Sequence, residues 1–261
     1  MNSQEQYLKV AVDAAKKATV VFKKNFGKAK HIKIKNGDIT NFVTEVDLAI
    51  EKQIRASILK KFPDHKIIGE EFGQSDITKK DLFWIIDPID GTTNFIHGVP
   101  FCCISIALWN NQGPLLCVVY NPSTNELLTA IKGRGAFLNG NKIRVSSSNN
   151  IKNFFGAAGW GRDKSLGIKI LPFMIQNANK VRVFGSAALE TCAVARGTFD
   201  YYVHGRLNIW DMAAAVLLVT EAGGKATDWQ GKKITPKTKQ IIASNGKIHK
   251  KLLSLVKKIS I

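Results

Sequence analysis

Trp84-Ile85-Ile86-Asp87-Pro88-Ile89-Asp90-Gly91-Thr92-Thr93 decides the fold of this chain, because it opens as a buried strand and ends as a cluster of polar groups. The apolar run Trp84-Ile85-Ile86 suits a strand covered on both faces. Pro88 has no N–H to offer a neighbouring strand, so the ladder is expected to stop at Asp87 and the chain to turn there. Asp87 and Asp90 flank the Pro-Ile pair, and such a turn directs both carboxylates and the Ile89 carbonyl towards one point. Gly91 permits close backbone approach, and Thr92 and Thr93 stand at a helix start whose first amides suit phosphate oxygens. Oxygen ligands of this kind hold hard cations such as Mg²⁺. An isolated Asp-Gly is more often an ordinary turn or helix cap. Two acids, a proline and a threonine pair at the mouth of one apolar strand reduce that advantage and set phosphoryl chemistry beside the ordinary turn, without the spacing alone choosing between them.

Upstream, apolar residues at helical spacing predict an amphipathic helix over residues 4–26, stopped by Gly27, and a second over 44–62, ended by Pro63 and carrying Asp47 near its start. Strand signals follow at 66–69, 82–86, 102–109, 115–120 and 126–131, spaced closely enough to imply mainly antiparallel pairing. Residues 133–140 read as turn, brief strand and turn. The polar stretch Ser146-Ser147-Ser148-Asn149-Asn150 is the candidate boundary between an N-terminal α+β half, 1–145, and a C-terminal α/β half, 146–261, within a single compact fold. In the second half, strands at 154–158, 181–184 and 241–244 alternate with helices at 186–196, 212–221 and 247–259.

A chain of 261 residues, 45% hydrophobic, buries a substantial core, so disorder is not the default reading. Cys102, Cys103, Cys117 and Cys192 show no C-x-x-C spacing, which argues against a disulfide framework or a zinc site and for reduced core residues. No stretch reaches the roughly 20 apolar residues of a membrane span, and the first residues lack a signal-peptide core, so a cytoplasmic protein is expected. A formal net charge of +18 attracts phosphate-bearing partners without choosing among metabolite, nucleic acid and anionic membrane. The acids are more telling: Asp47, Glu70 and Asp87 stand beside apolar segments of a basic protein, as cation ligands do.

Trp84 to Phe95 closely resembles the first signature of the inositol monophosphatase family, which comprises Mg-dependent, lithium-sensitive-type phosphatases. Trp210-Asp211-Met212-Ala213-Ala214-Ala215 with Glu221-Ala222-Gly223-Gly224 resembles the second. The order Asp47, Gly69-Glu70-Glu71, acidic turn, Gly185-Ser186-Ala187, Trp210-Asp211 extends the resemblance over nearly the whole chain. It implies a layered αβαβα sandwich of the inositol monophosphatase and fructose-1,6-bisphosphatase type, and commonly a homodimer. It also implies two or three Mg²⁺ ions per site. Glu70, Asp87 and the Ile89 carbonyl correspond to ligands of a first ion that activates the attacking water. Asp87, Asp90 and Asp211 correspond to ligands of a second, beside the leaving alkoxide. Asp47 corresponds to a residue that holds a third, weaker ion or polarises the Thr92 hydroxyl, which with Glu70 orients and deprotonates the water. Asp90, Gly91, Thr92, Gly185, Ser186, Ala187, His204 and Asp211 form the implied substrate contacts.

Structural roles stand beside these. Asp211 lies three residues after Asn208, as a capping-box acid does, Asp47 suits first-turn helix chemistry, Glu70 suits a strand-end surface acid, and Ser186 suits a helix cap. His204 departs from the family pattern, where a glutamate usually accepts two ring hydroxyls; a neutral histidine offers one acceptor. With Arg206 it suits a substrate bearing extra negative charge, and its bland alternative is a solvent-facing loop residue. The expected activity is Mg-dependent hydrolysis of a small phosphomonoester, inositol monophosphate or a related sugar or polyol phosphate first. Fructose 1,6-bisphosphate, histidinol phosphate and a 3′,5′-bisphosphonucleotide are alternatives. A non-enzymatic RNA- or protein-binding role rests on the basic segment 247–258, whose apolar side nevertheless reads as the buried face of a closing helix.

Overall fold

The computed structural model describes residues 3–28, 33–34, 42–74, 76–78, 80–149, 154–161, 163–178 and 180–259. The first half runs α1 (Ser3–Asn25), β1 (Lys33–Ile34), β2 (Phe42–Val43), α2 (Glu45–Leu59), β3 (Lys66–Gly69), β4 (Gly73–Gln74), β5 (Phe83–Asp90), α3 (Thr92–Ile96), β6 (Cys103–Asn110), β7 (Gly113–Asn121), β8 (Glu126–Ile131), β9 (Ala136–Leu138) and β10 (Asn141–Lys142). The second runs β11 (Phe155–Gly159), α4 (Lys164–Asn177), β12 (Lys180–Arg182), α5 (Ala187–Ala195), β13 (Tyr201–His204), α6 (Ile209–Glu221), β14 (Lys225–Thr227), β15 (Ile241–Ser244) and α7 (His249–Val256).

Side-chain alternation along the long strands sets the layers. Trp84, Ile86, Ile104, Ile106 and Leu108 pack on Ala11, Ala15, Ala18 and Phe22 of α1 and Ile50, Ile54 and Ile58 of α2. Their neighbours Ile85, Cys103, Ala107 and Trp109 point the other way, onto α5 and α6. Those two helices are apolar nearly all round, as a helix between two sheets must be. Their far side meets Ala157, Tyr202, Ile241 and Ala243 of the second sheet, whose outer residues Ala158, Tyr201, Val203 and Ile242 pack against α4 and α7. The result is an αβαβα sandwich.

Among the described residues the larger sheet has eight strands in the order β10-β9-β8-β7-β6-β5-β3-β4, and only its β3–β5 pair is parallel. The smaller has five, β12-β11-β13-β15-β14, with β11 parallel to both its neighbours. Ser146 of the polar stretch is held by hydrogen bonds to Asp200 (2.5 Å) and from Asn245 (3.0 Å), while Asn150 lies outside the described residues. Among the described residues no helix is long and apolar enough to cross a membrane.

One expectation is corrected at Pro88. The strand does not end at Asp87 but continues to Asp90, with its register against β6 shifted between Asp87 and Asp90, where Asp90 pairs again with Cys103. The missing N–H is absorbed in an irregularity of the ladder, which bends the strand and re-aims its side chains.

Candidate active site

The end of β5 is folded tightly on itself. Asp87 Oδ1 accepts from the Ile89 amide at 3.0 Å, bringing its carboxylate back over Pro88. Asp90 Oδ2 accepts from the Ser186 hydroxyl and from the Ala188 amide at 2.8 Å, so the start of α5 is pinned to the acidic turn. Ser186 also caps α5, accepting from the Leu189 amide at 3.4 Å. Gly91 has φ +91°, a conformation that favours glycine, and a Cβ there would stand 3.1 Å from the Phe101 carbonyl and 3.2 Å from Cys102 and Ser186, a tight fit. The Thr92 hydroxyl lies 3.0 Å from the Ile89 carbonyl and 3.3 Å from Asp47 Oδ1.

Two of the candidate site carboxylates also cap helices. Asp47 Oδ2 accepts from the Thr44 amide (2.8 Å) and hydroxyl (2.5 Å), closing the capping box of α2, while Oδ1 faces Thr92. Asp211 Oδ2 accepts from the Asn208 amide at 2.6 Å at the start of α6. Glu70 follows β3; its amide extends the parallel pairing by donating to the Ile86 carbonyl at 3.2 Å, and it lines the cavity described below. The starts of α2, α5 and α6 thus approach one acidic cluster, where the positive ends of the helix dipoles favour negative charge.

Asp87, Asp90 and Asp211 each place an oxygen within 4.8 Å of the others. Burial, then the negative charge of Glu70, Asp90, Asp211 and Asp47, holds the Asp87 carboxyl well above the usual carboxylate range. Burial also pushes Asp90 up to about 6, against the opposing hydrogen bonds from Ser186 and Ala188. Carboxylates crowded at this depth repel one another, and an all-oxygen donor set suits a hard divalent cation such as Mg²⁺.

A cavity of about 1050 Å³ opens beside the cluster, with Glu70, Asp90 and Asp211 in its wall together with Gly185, Ala187 and His204. Ser186 is buried behind that wall with its hydroxyl turned to Asp90, and Gly91 and Thr92 are not among the lining residues. Glu190, Tyr202 and Lys239 also line it and went unread in the sequence. Glu190 had a signal, being the one acid of the α5 segment Ala-Ala-Leu-Glu-Thr-Cys-Ala-Val-Ala; burial pushes its carboxyl up to about 8. The buried Tyr202 hydroxyl lies near that carboxyl but without hydrogen-bonding geometry.

The solvent-facing alternative for His204 is corrected: it ends β13 and is buried, with 7% of its surface exposed. Burial lowers its pKa to about 3, so the ring is neutral. The Gly161 amide points at Nε2 (3.2 Å) and the Arg206 amide at Nδ1 (3.1 Å). One nitrogen of a neutral imidazole carries hydrogen, so only one of these amides is accepted at a time. His204 therefore brings no positive charge to the cavity; Arg206 and Lys239 do.

The profile described as the inositol monophosphatase family matches residues 3–260. The chain belongs to this family. It is 41% identical to "Inositol monophosphatase 2" of Solanum lycopersicum, over 92% of this chain and 94% of that protein. It is 39% identical to "Fructose-1,6-bisphosphatase/inositol-1-monophosphatase" of Thermotoga maritima, over 90% of each chain. Among solved structures, an IMPase of Thermotoga maritima superposes with a TM-score of 0.89 at 36% identity, covering 97% of this chain and 98% of that one. An IMPase/NADP phosphatase complexed with Mg²⁺ and phosphate superposes with a TM-score of 0.85 at 26% identity, covering 98% and 97%. As a member of the inositol monophosphatase family, the protein is a phosphomonoester hydrolase, and the family is in general Mg-dependent.

Proposed function

We propose that this protein hydrolyses a small sugar or polyol phosphomonoester, inositol monophosphate first, with Mg²⁺ held by Glu70, Asp87, the Ile89 carbonyl, Asp90 and Asp211. The observation that carries this reading is the convergence of the Asp87, Asp90 and Asp211 oxygens beside the cavity. Bound there, Mg²⁺ supplies positive charge for the phosphate and the leaving alkoxide and makes water a stronger nucleophile. The chain's own groups do the rest. Glu70 takes the proton of the attacking water, and the Thr92 hydroxyl, held between Asp47 and the Ile89 carbonyl, orients that water. Gly91 and Thr92, at the start of α3, offer backbone amides to the phosphate. Gly185, Ala187 and His204 face the alcohol portion of the substrate.

A second reading, a bisphosphate such as fructose 1,6-bisphosphate, is favoured by Arg206 and Lys239 in the cavity wall. Arg206 is exposed, with its guanidinium 3.7 Å from Asp163, and Lys239 donates to Asn208 Oδ1 at 3.0 Å. Both carry positive charge that would attract a second anionic group. The Thermotoga maritima relative whose name couples both activities supports the same option.

Phosphate release from inositol 1-phosphate, fructose 1,6-bisphosphate, histidinol phosphate and a 3′,5′-bisphosphonucleotide, each with Mg²⁺, tests these readings. Arg206→Ala with Lys239→Ala is expected to depress bisphosphate turnover selectively. Failure to turn over any of the four, or full activity in Asp87→Asn, ends the metal-phosphatase reading. The proposal extends to a cytoplasmic homodimer, checked by light scattering, and to halves 1–145 and 146–261 joined as one compact fold. Four buried free cysteines suit a reducing compartment.

A further inference from the structure

Glu51 is fully buried on the face of α2 that otherwise packs Val46, Ile50, Ile54 and Ile58. A carboxylate in that position loses its hydration and needs hydrogen-bond donors to offset the loss. It finds them in the turn between β3 and β4: the Glu71 amide donates to Oε2 at 2.8 Å and the Phe72 amide to Oε1 at 3.3 Å. Arg55, one turn along the helix, donates to Oε1 at 3.1 Å and lies over the Phe72 ring at 5.9 Å. The opposite wall is Gly69, where a Cβ would fall 1.8 Å from Glu51 Oε1, so the carboxylate sits against bare backbone.

Gly69 pairs with Gly73, which leaves Glu70, Glu71 and Phe72 as the connection between the two strands. The same helix carries Asp47, one turn before Glu51 and in contact with Thr92. A single rigid element therefore touches the acidic turn at one point and the Glu70 connection at the next.

We propose that Glu51 is the positioning residue of Glu70: its carboxylate clamps the amides that follow Glu70 and holds that side chain at the acidic cluster. This rests on the reading of Glu70 as a metal ligand. A merely structural brace would alter stability alone; a positioning residue alters metal affinity at unchanged fold.

The test combines calorimetric Mg²⁺ titration, hydrogen exchange at the Glu71 and Phe72 amides, and thermal unfolding, on Glu51→Gln, Glu51→Ala and Glu51→Asp. Glu51→Gln keeps one acceptor oxygen but turns an NH₂ group towards the second amide, and is expected to weaken Mg²⁺ binding about tenfold, with Glu51→Ala weaker by about a hundredfold. Exchange at one or both amides rises by about tenfold or more in Glu51→Gln. Saturating Mg²⁺ restores turnover to within about threefold of the parent, because the ligand is displaced and not removed. Where Glu51→Ala does not fold, Glu51→Gln decides. Wild-type Mg²⁺ affinity in a folded Glu51→Gln overturns the proposal, whether or not exchange accelerates. If the parent itself binds no Mg²⁺, the metal reading falls separately. Exchange then decides the clamp: acceleration in Glu51→Gln supports it, and unchanged protection overturns it.

Discussion

On the proposed metal-binding reading, Asp87 is where function and stability conflict most directly. Burial, then the negative charge of Glu70, Asp90, Asp211 and Asp47, raises the pKa of its carboxyl, so an ionised Asp87 destabilises the protein when no cation is bound. Asp87→Asn is expected to lower turnover by about a thousandfold or more, yet to raise metal-free stability by about 1–2 kcal/mol, read by thermal unfolding in chelator. Loss of stability in chelator would contradict the electrostatic account. Glu190 supplies a pH signature. Burial pushes its carboxyl up to about 8 in the folded chain, against 4.5 for an unperturbed glutamate, outweighing the Phe184 amide that donates to it at 2.8 Å. The folded state keeps a proton that the unfolded chain releases across that window, so Glu190 makes stability fall as pH rises through it. Glu190→Gln retains an acceptor for Phe184 and removes the titration. Its stability margin over the parent is expected to widen by about 1–3 kcal/mol between about pH 5 and pH 8, measured by urea unfolding. An equal margin at both pH values would refute this.

Among the elements, those with undisturbed periodicity were legible. The helical spacing over 4–26 and 44–62 forms Ser3–Asn25 and Glu45–Leu59, and the strand pattern over 126–131 matches β8. α4 was missed. Its buried face, Leu166, Ile170 and Met174, has helical spacing, but exposed Ile168 and Ile175 blur the pattern and Pro172 lies inside the helix. β13 is four residues long and buried throughout, too short to show a period. The expected strand at 181–184 is Lys180–Arg182, after which Phe184 leaves the sheet, stacks on Phe101 and donates its amide to Glu190. α5 gives a prediction at this scale. Ser186 both caps the helix and donates to Asp90, so Ser186→Ala is expected to cost about 1–3 kcal/mol in urea unfolding, with Ser186→Thr recovering most of the loss. Equal losses in the two variants would show that packing, not the hydroxyl, matters there.

Over the whole molecule, a net charge of +18 surrounds a cavity whose own wall is acidic. The long-range field draws anionic substrates in, so kcat/KM is expected to fall several-fold between about 20 mM and 300 mM salt while kcat changes little. A kcat/KM independent of salt would remove steering from the account. α6 sets the cooperativity. Ala213, Ala214 and Ala215 are buried in the layer that both sheets share, so the two sheets are expected to unfold in one transition. Ala214→Leu overpacks that layer and should cost about 1–3 kcal/mol while keeping a single transition; separate transitions would show that the halves are uncoupled.

The residues by themselves determined the acidic turn, the family resemblance and most of the helix and strand pattern, because turn chemistry and apolar periodicity are local properties of neighbouring side chains. Only the tertiary structure decided that Asp87, Asp90 and Asp211 share one point, that Pro88 sits within a continuing strand, and that His204 is buried and neutral. It alone brought Lys239 to the cavity wall and set Glu51 against the amides that follow Glu70. These depend on how sheets and helices pack, which fixes distances between residues far apart in the chain and the dielectric around each charged group.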